Sequence, residues 1–353
     1  MSIDATKIKS TPSKSAGKNS GLTAAKSAKN DEFYTQLTDV EKEMRHYEAH
    51  FRGRVIYCNC DDARESKFFH YFSYKFEVLG LKKLIAVGYK EGGKGVYYEY
   101  NGDKNGNRVP DAHEIEVWEL EGNGDFRSAE CIEILKGVDI VVTNPPFSLF
   151  REYVQQLVGH NKKFIIVGNM NAVTYKEVFK LIKSEEIWLG ISPRSMTFTQ
   201  PDGSTAVVNS TWFTNLPHRK RTEEFISYKH FSLKDFPMYD NYFAYNVDKV
   251  KEIPLDKEVE LLIPQEMCEE LLTKGVELEV LNKSEVGNLV KFVPVWGVPI
   301  TYLDKHNPSQ FEIVGCSYDY GRPAGWDAKI NMSVSINGVN IYKRILIKPI
   351  INN

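Results

Sequence analysis

The stretch Val141-Val142-Thr143-Asn144-Pro145-Pro146-Phe147 constrains this chain most, because an apolar, β-branched run stops in an amide, two prolines and an aromatic ring. The run reads as a buried strand. Each proline fixes its own φ near about −65° and pushes the residue before it towards extended geometry. Asn144 and Pro145 are therefore expected to be held extended at the strand's carboxyl edge. Carboxyl edges of open α/β sheets are where ligands bind. The Asn144 side-chain oxygen and the Pro145 carbonyl offer two acceptors there, and Phe147 offers a flat apolar face, a set suited to a planar amino-bearing group.

The chemistry that such a trio suits is methylation of an exocyclic amine. An aromatic NH2 is a poor nucleophile because its lone pair is delocalised into the ring. Two acceptors holding both hydrogens favour a more pyramidal nitrogen, with its lone pair turned to an incoming methyl group. Phe147 would stack on the base, which has to leave its duplex before the amine can be reached. A strand that simply ends in a Pro-Pro turn accounts for the same residues. The tetrad type also leaves open adenine DNA, cytosine-N4 DNA, RNA and protein-glutamine acceptors.

A chain of 353 residues can bury a sizeable α/β core with a smaller unit attached. Its formal net charge of −2 provides no overall attraction to nucleic acid, so any DNA-binding face has to be local. Five cysteines, an odd number, point to a reducing cytoplasm. Cys58 and Cys60 lack a second ligand pair nearby, so no metal site is expected. No run approaches the ~18 apolar residues of a membrane span, and none is expected.

Residues 1–30 carry Lys7, Lys9, Lys14, Lys18, Lys26 and Lys29 against Asp4 and read as a disordered basic arm. Val40, Met44 and Tyr47 then follow at helical spacing. Residues 54–58 are the first strand; the polar turn Asn59-Cys60-Asp61-Asp62 and a Phe-rich helix follow it, the first unit of a doubly wound sheet. The glycine-rich turn of a phosphate ligand is absent. Asp61 and Asp62 suit a cationic or hydroxyl-bearing ligand such as an amino-acid ammonium, or else they cap the helix.

Residues 84–89 read as the second strand, 91–109 as a surface hairpin, and 115–120 as a half-exposed strand. In the following turn, Asp125 and Phe126 can read an adenine ring by one hydrogen bond and one stacking face. Strands over 163–167, 187–189, 195–199 and 207–216, with helices over 150–157 and 175–184, make an α/β pattern with an antiparallel end. Trp212 is a candidate wall of a base pocket. Arg219, Lys220 and Arg221 form the strongest basic cluster, and Lys343 and Arg344 follow an Asn337-Gly338 hairpin; these five are candidate phosphate contacts. Residues 256–292, charged and Leu-rich, read as a partly helical insert.

The stretches DEFYTQ (31–36), VIYCNCDD (55–62), LGLKKLIAVGY (79–89), TNPPFSLF (143–150) and WGVPITYLDKHNPSQFEIVG (296–315) together resemble the EcoRI family of adenine-specific DNA methyltransferases. The likeness runs over nearly the whole chain from Asn30. It implies a doubly wound, Rossmann-like sheet dependent on S-adenosylmethionine, with an antiparallel end and a C-terminal recognition region. The catalytic domain would span 31–217, and the target-recognition region 218–353 with 256–292 inserted. By the same resemblance, Phe33, Tyr34 and Thr35 match the segment that folds over the donor's methionine part. Asn59, Cys60, Asp61 and Asp62 take the place of the usual cofactor turn, Asp125 and Phe126 match positions beside the donor's adenine, and Asn144, Pro145, Pro146 and Phe147 match the catalytic tetrad. The implied reaction is transfer to N6 of an adenine flipped from double-stranded DNA, by a cytoplasmic monomer paired functionally, without a stable complex, with a restriction endonuclease. Cytosine-N4 transfer and a catalytically idle DNA-binding protein are the alternatives.

Overall fold

The computed structural model describes residues 34–60, 62–192, 194–199, 204–240, 242–273, 275–317 and 334–351. The basic arm, Phe33 and Asp61 lie outside the described residues. The first eleven strands are β1 Tyr34–Thr35, β2 Val55–Asn59, β3 Lys83–Gly88, β4 Val96–Tyr100, β5 Ile115–Glu119, β6 Ile140–Thr143, β7 Lys163–Asn169, β8 Trp188–Leu189, β9 Met196–Thr199, β10 Thr205–Val208 and β11 Ser210–Thr214. Eight of them form one sheet in the order β5-β4-β3-β2-β6-β7-β11-β8. Strands β3, β2, β6 and β7 run parallel, while β4, β5, β11 and β8 add antiparallel ends.

Period-two alternation divides each central strand between two cores. Tyr57, Val87, Val141 and Ile166 face one, against the helices Ala129–Lys136, Phe150–Gly159 and Lys176–Lys183. Ile56, Ala86, Val142 and Val167 face the other, against Leu37–Met44 and Lys67–Tyr74. Helices on both faces make the sheet doubly wound, as its sequence pattern implies. The chain proceeds from β2 to β3 on one side and later returns to β6 on the other, so the strand order reverses between β2 and β6.

One sequence expectation is corrected. Residues 91–109 are not only a surface hairpin, because β4 lies within them and pairs along all of β3 from Leu84 to Gly88. Its Tyr97, Tyr98 and Tyr100 are buried. The segment 256–292 is partly helical, as expected. It holds one helix, Gln265–Thr273, within an antiparallel sheet of β14 Val259–Ile263, β15 Leu278–Ser284 and β16 Gly287–Phe292, ordered β14-β16-β15.

The other C-terminal strands are β12 Met238–Tyr239, β13 Tyr242–Asn246, β17 Trp296–Pro299, β18 Phe311–Cys316 and β21 Arg344–Pro349, in the order β12-β13-β17-β21-β18. Between the last two come β19 Ser335–Ile336 and β20 Val339–Asn340, the expected hairpin, with Asn337 at φ 49° and Gly338 at φ 74° in its turn. Both turn N–H groups donate to the Asp240 carboxylate, at 2.8 and 2.9 Å. The C-terminal sheet shares one continuous core with the eight-stranded sheet, from Ile182 to Tyr302 and Ile313. Among the described residues no helix is long and apolar enough to cross a membrane.

Candidate active site

The site grows from the ends of β2 and β6, the two strands that flank the reversal point. Thr143, fully buried, donates its hydroxyl to the Asn59 carbonyl. Tyr153, on the helix just after the tetrad, donates to the Asn59 side-chain oxygen. Asn59 is thus held from two positions of the chain that carries Asn144. Cys60 then turns with φ 73°, in the left-handed region that glycine usually occupies. One non-glycine residue makes the turn for which the sequence lacks glycines.

Asp62 follows on this edge. Its carboxylate accepts from Arg64 Nε at 3.0 Å, Arg64 Nη2 at 2.6 Å and the Tyr98 hydroxyl at 3.1 Å. Burial pushes this carboxyl up, but the Arg64 and Tyr98 bonds outweigh it and hold the group below the ordinary carboxylate range. Gly88, at the end of β3, lies against the Asp62 backbone, where an added Cβ would stand 3.3 Å from Cα. On its other side the Gly124 turn closes in, with φ 80° and room for no side chain: a Cβ would stand 2.5 Å from the Gly88 carbonyl oxygen. This close approach brings Asp125 and Phe126 to the same edge as Asp62.

Asp125 carries the same kind of clamp as Asp62. Arg127 donates to it through Nε at 3.0 Å and Nη2 at 2.7 Å and holds its carboxyl low against the opposing effect of burial. Phe126 is buried, edge-on to Tyr153 at 4.9 Å between centroids. The stacking face expected of it is therefore not open; the ring belongs to the core, and the Arg127 guanidinium carbon stands 5.5 Å from its centroid. Sequence reasoning passed over Arg64, Arg127 and Tyr153. The repeated Asp-x-Arg spacing at 62–64 and 125–127 is the signal that finds the first two.

The tetrad leaves β6 as expected. Asn144 and Pro145 are buried, and Phe147, half-buried, opens a 3-10 turn, Phe147–Leu149. Its ring meets Phe198 of β9 edge-on at 6.2 Å. Strand β1 pairs with that same strand, Thr35 opposite Phe198 and Tyr34 opposite Thr199, and Gln36 Nε2 donates to Thr199 Oγ1 at 2.6 Å. The N-terminal segment and the tetrad thus meet across β9.

A family model described as "Adenine-specific methyltransferase EcoRI" matches residues 21–287 and 278–349. The chain belongs to the EcoRI family of adenine-specific methyltransferases. It is 42% identical to the Type II methyltransferase M.EcoRI of Escherichia coli, over 93% of this chain and 95% of that one. It is 34% identical to M.MpnI of Mycoplasma pneumoniae, over 83% of this chain and 84% of the relative. A third Type II methyltransferase, from Mycoplasma genitalium, is 31% identical over 92% of this chain and 97% of its own. Membership makes this protein a site-specific DNA adenine methyltransferase that draws on a methyl donor.

Within this EcoRI-family chain, most residues expected to touch DNA have structural partners instead. Trp212 is fully buried, edge-on to Phe68 at 6.0 Å, which corrects its reading as a pocket wall. Arg221 bonds Glu185 and lies 3.9 Å over the Trp188 ring; Lys220 reaches the Ile191 carbonyl at 3.2 Å. Lys343 donates to Thr174 Oγ1 at 2.9 Å, and burial lowers its pKa. Arg344 is buried, with its Nε on Asn246 Oδ1 at 3.0 Å and its Nη2 near Asp248 at 3.3 Å. Positive charge in the sequence finds internal anions and carbonyls as readily as phosphates. Arg219, its side chain 73% exposed and 3.9 Å from Glu223, is the exception of the six.

Proposed function

We propose that this enzyme takes its methyl group from S-adenosylmethionine and delivers it to N6 of an adenine flipped out of duplex DNA. The observation that carries this reading is the Thr143 hydroxyl on the Asn59 carbonyl, which holds the acceptor end of β6 against the turn suited to the donor. Two ionised acids at that edge, Asp62 and Asp125, fit a donor bearing an ammonium group and hydroxyls. The left-handed Cys60 supplies the sharp turn that such a ligand needs. The donor's sulfonium supplies an electrophilic methyl group.

The chain's own residues then have three tasks. Asn144 Oδ1 and the Pro145 carbonyl accept the two N6 hydrogens and orient the lone pair. Phe147 stacks on the flipped base, with Phe198 setting the tilt of its ring. The surrounding dipoles stabilise positive charge as it builds on the amine, which loses its proton only after transfer begins, so no base of low pKa is required. Residues 31–217 form the catalytic unit and 218–353 the part that reads the target. The enzyme acts as a cytoplasmic monomer and protects sites from a cognate restriction endonuclease without forming a stable complex with it.

Incubation with labelled S-adenosylmethionine and unmethylated duplex DNA, then digestion to nucleosides, tests this. Labelled N6-methyldeoxyadenosine is expected. Labelled N4-methyldeoxycytidine would overturn the assigned base, and label absent from DNA would overturn the whole reading.

A further inference from the structure

The residues around Gly190 join three parts of the molecule. Gly190 follows β8, and a Cβ added there would stand 2.2 Å from Glu43 Oε1 and 2.6 Å from the Trp212 Cβ. Glu43 is fully buried and accepts from the Tyr47 hydroxyl at 2.8 Å and from the backbone N–H groups of Ile191 at 2.9 Å and Ser192 at 2.6 Å. This end of the segment is anchored. Further along, Arg194 Nε pairs with the Asp304 carboxylate at 2.6 Å, the side chains 31% and 17% exposed. Asp304 belongs to the 3-10 turn Ile300–Lys305, which leads from β17 in the C-terminal sheet. Two residues past Arg194, β9 begins, and its Phe198 meets the catalytic Phe147.

We propose that the Arg194–Asp304 ion pair is a positioning device for the target base, tying the C-terminal region to the strand whose Phe198 orients Phe147. The idea rests on the stacking role given to Phe147 above. Arg194 stands two residues before β9, and the Ser195 N–H between them is bonded to the Ser210 carbonyl at 3.0 Å, so a displacement of Arg194 loads the start of that strand. Packed elements pass on such displacements rather than damping them. A C-terminal region seated correctly on DNA would hold the ring in its stacking position; one seated wrongly would tilt it. Arg194 and Asp304 touch neither base nor donor, so they are positioning residues.

The test uses the full chain and two duplexes: one with the natural adenine, on which kcat and KM are measured, and one with 2-aminopurine in place of the adenine identified by the product analysis, which has no 6-amino group and reports only extrusion, since it brightens when it leaves the stack. The variants are Arg194→Ala, Asp304→Asn and the charge-exchanged double Arg194→Asp/Asp304→Arg. Each single variant should keep donor affinity and its thermal midpoint, yet lose roughly ten- to a hundredfold in kcat, as expected for a misplaced reacting group. KM for DNA should move little, and the fluorescence rise should shrink. The double variant should regain part of both. Single variants with wild-type kcat and fluorescence overturn the proposal, as does a loss of kcat that merely follows the unfolded fraction. Turnover unchanged by Phe147→Ala would overturn the stacking role of Phe147 and the relay with it, whereas a wild-type fluorescence rise unchanged in the Arg194 and Asp304 variants overturns the relay alone.

Discussion

Arg127 grips the Asp125 carboxylate through Nε at 3.0 Å and Nη2 at 2.7 Å while its guanidinium carbon stands 5.5 Å from the centre of the neighbouring Phe126 ring. One side chain therefore engages both groups that the family likeness sets beside the donor's adenine. Because the Asp125 pKa is depressed in the folded state, its contribution to stability is present above the unfolded carboxyl pKa and is lost as pH falls through the folded one. Arg127→Ala should therefore melt earlier than wild type near neutral pH, by an amount equivalent to about 1 kcal/mol or less for so exposed a pair. The gap should close in acid. Thermal melts between about pH 7 and pH 3 check this, and a gap that stays constant would show that Asp125 is not the linked group.

Asn144→Ala removes one of the two acceptors assigned to the N6 hydrogens and leaves the Thr143–Asn59 bond in place. Turnover should fall by about 10²–10³, the scale of losing one oriented polar group at a reacting centre. Donor affinity, read by calorimetry, should stay near wild type. Retained turnover would remove Asn144 from the chemistry.

Gly124 sits at φ 80° with the Gly88 carbonyl oxygen 2.5 Å from where a Cβ would lie. Gly124→Ala adds both backbone strain and a collision with backbone, and should destabilise the fold by about 2 kcal/mol or more. Urea denaturation measures it. Donor affinity should fall with it, since the same contact carries Asp125 to the edge of the sheet.

Arg344 and Arg219 separate internal from external positive charge. Arg344→Ala removes buried hydrogen bonds to Asn246 Oδ1, which keeps the Tyr239 hydroxyl, and to the Tyr342 carbonyl, and should cost about 1–2 kcal/mol of stability without changing the DNA affinity of folded molecules. Arg219→Ala should leave stability unchanged and lower the salt slope of DNA binding by about one. Denaturation and binding titrations at several salt concentrations distinguish the two.

The catalytic half was legible where local chemistry decides conformation. Two prolines after Asn144 impose the end of β6 whatever surrounds them, and the unbroken apolar runs of β2 and β6 report burial on both faces directly. Strand β4 was hidden because Val96 to Tyr100 lies within a Gly-, Lys- and Asn-rich stretch, and its pairing with β3 is a tertiary fact. In the segment 256–292 the helix was legible and the sheet around it was not. Its leucines fall at spacings that a helix shares, while the pairing that makes it a sheet joins Val259 to Phe292, far apart in the chain. Basic residues were the least legible of all. Charge is written at Arg221 and Arg344, but Glu185 and Asp248, which take it up, are supplied by the fold.

Strand β21 lies between β17 and β18 inside its sheet, although Arg344–Pro349 follows both of them in the chain. All eight strands of the large sheet lie before residue 215 and leave the ribosome ahead of β12 to β21, although one face of that sheet shares its core with the C-terminal region. The C-terminal sheet leaves β18 unjoined to β17 until residue 349 is free. Order of synthesis thereby becomes order of competence: a nascent chain can own a complete set of catalytic strands well before it owns the framework that holds Asp304 against Arg194.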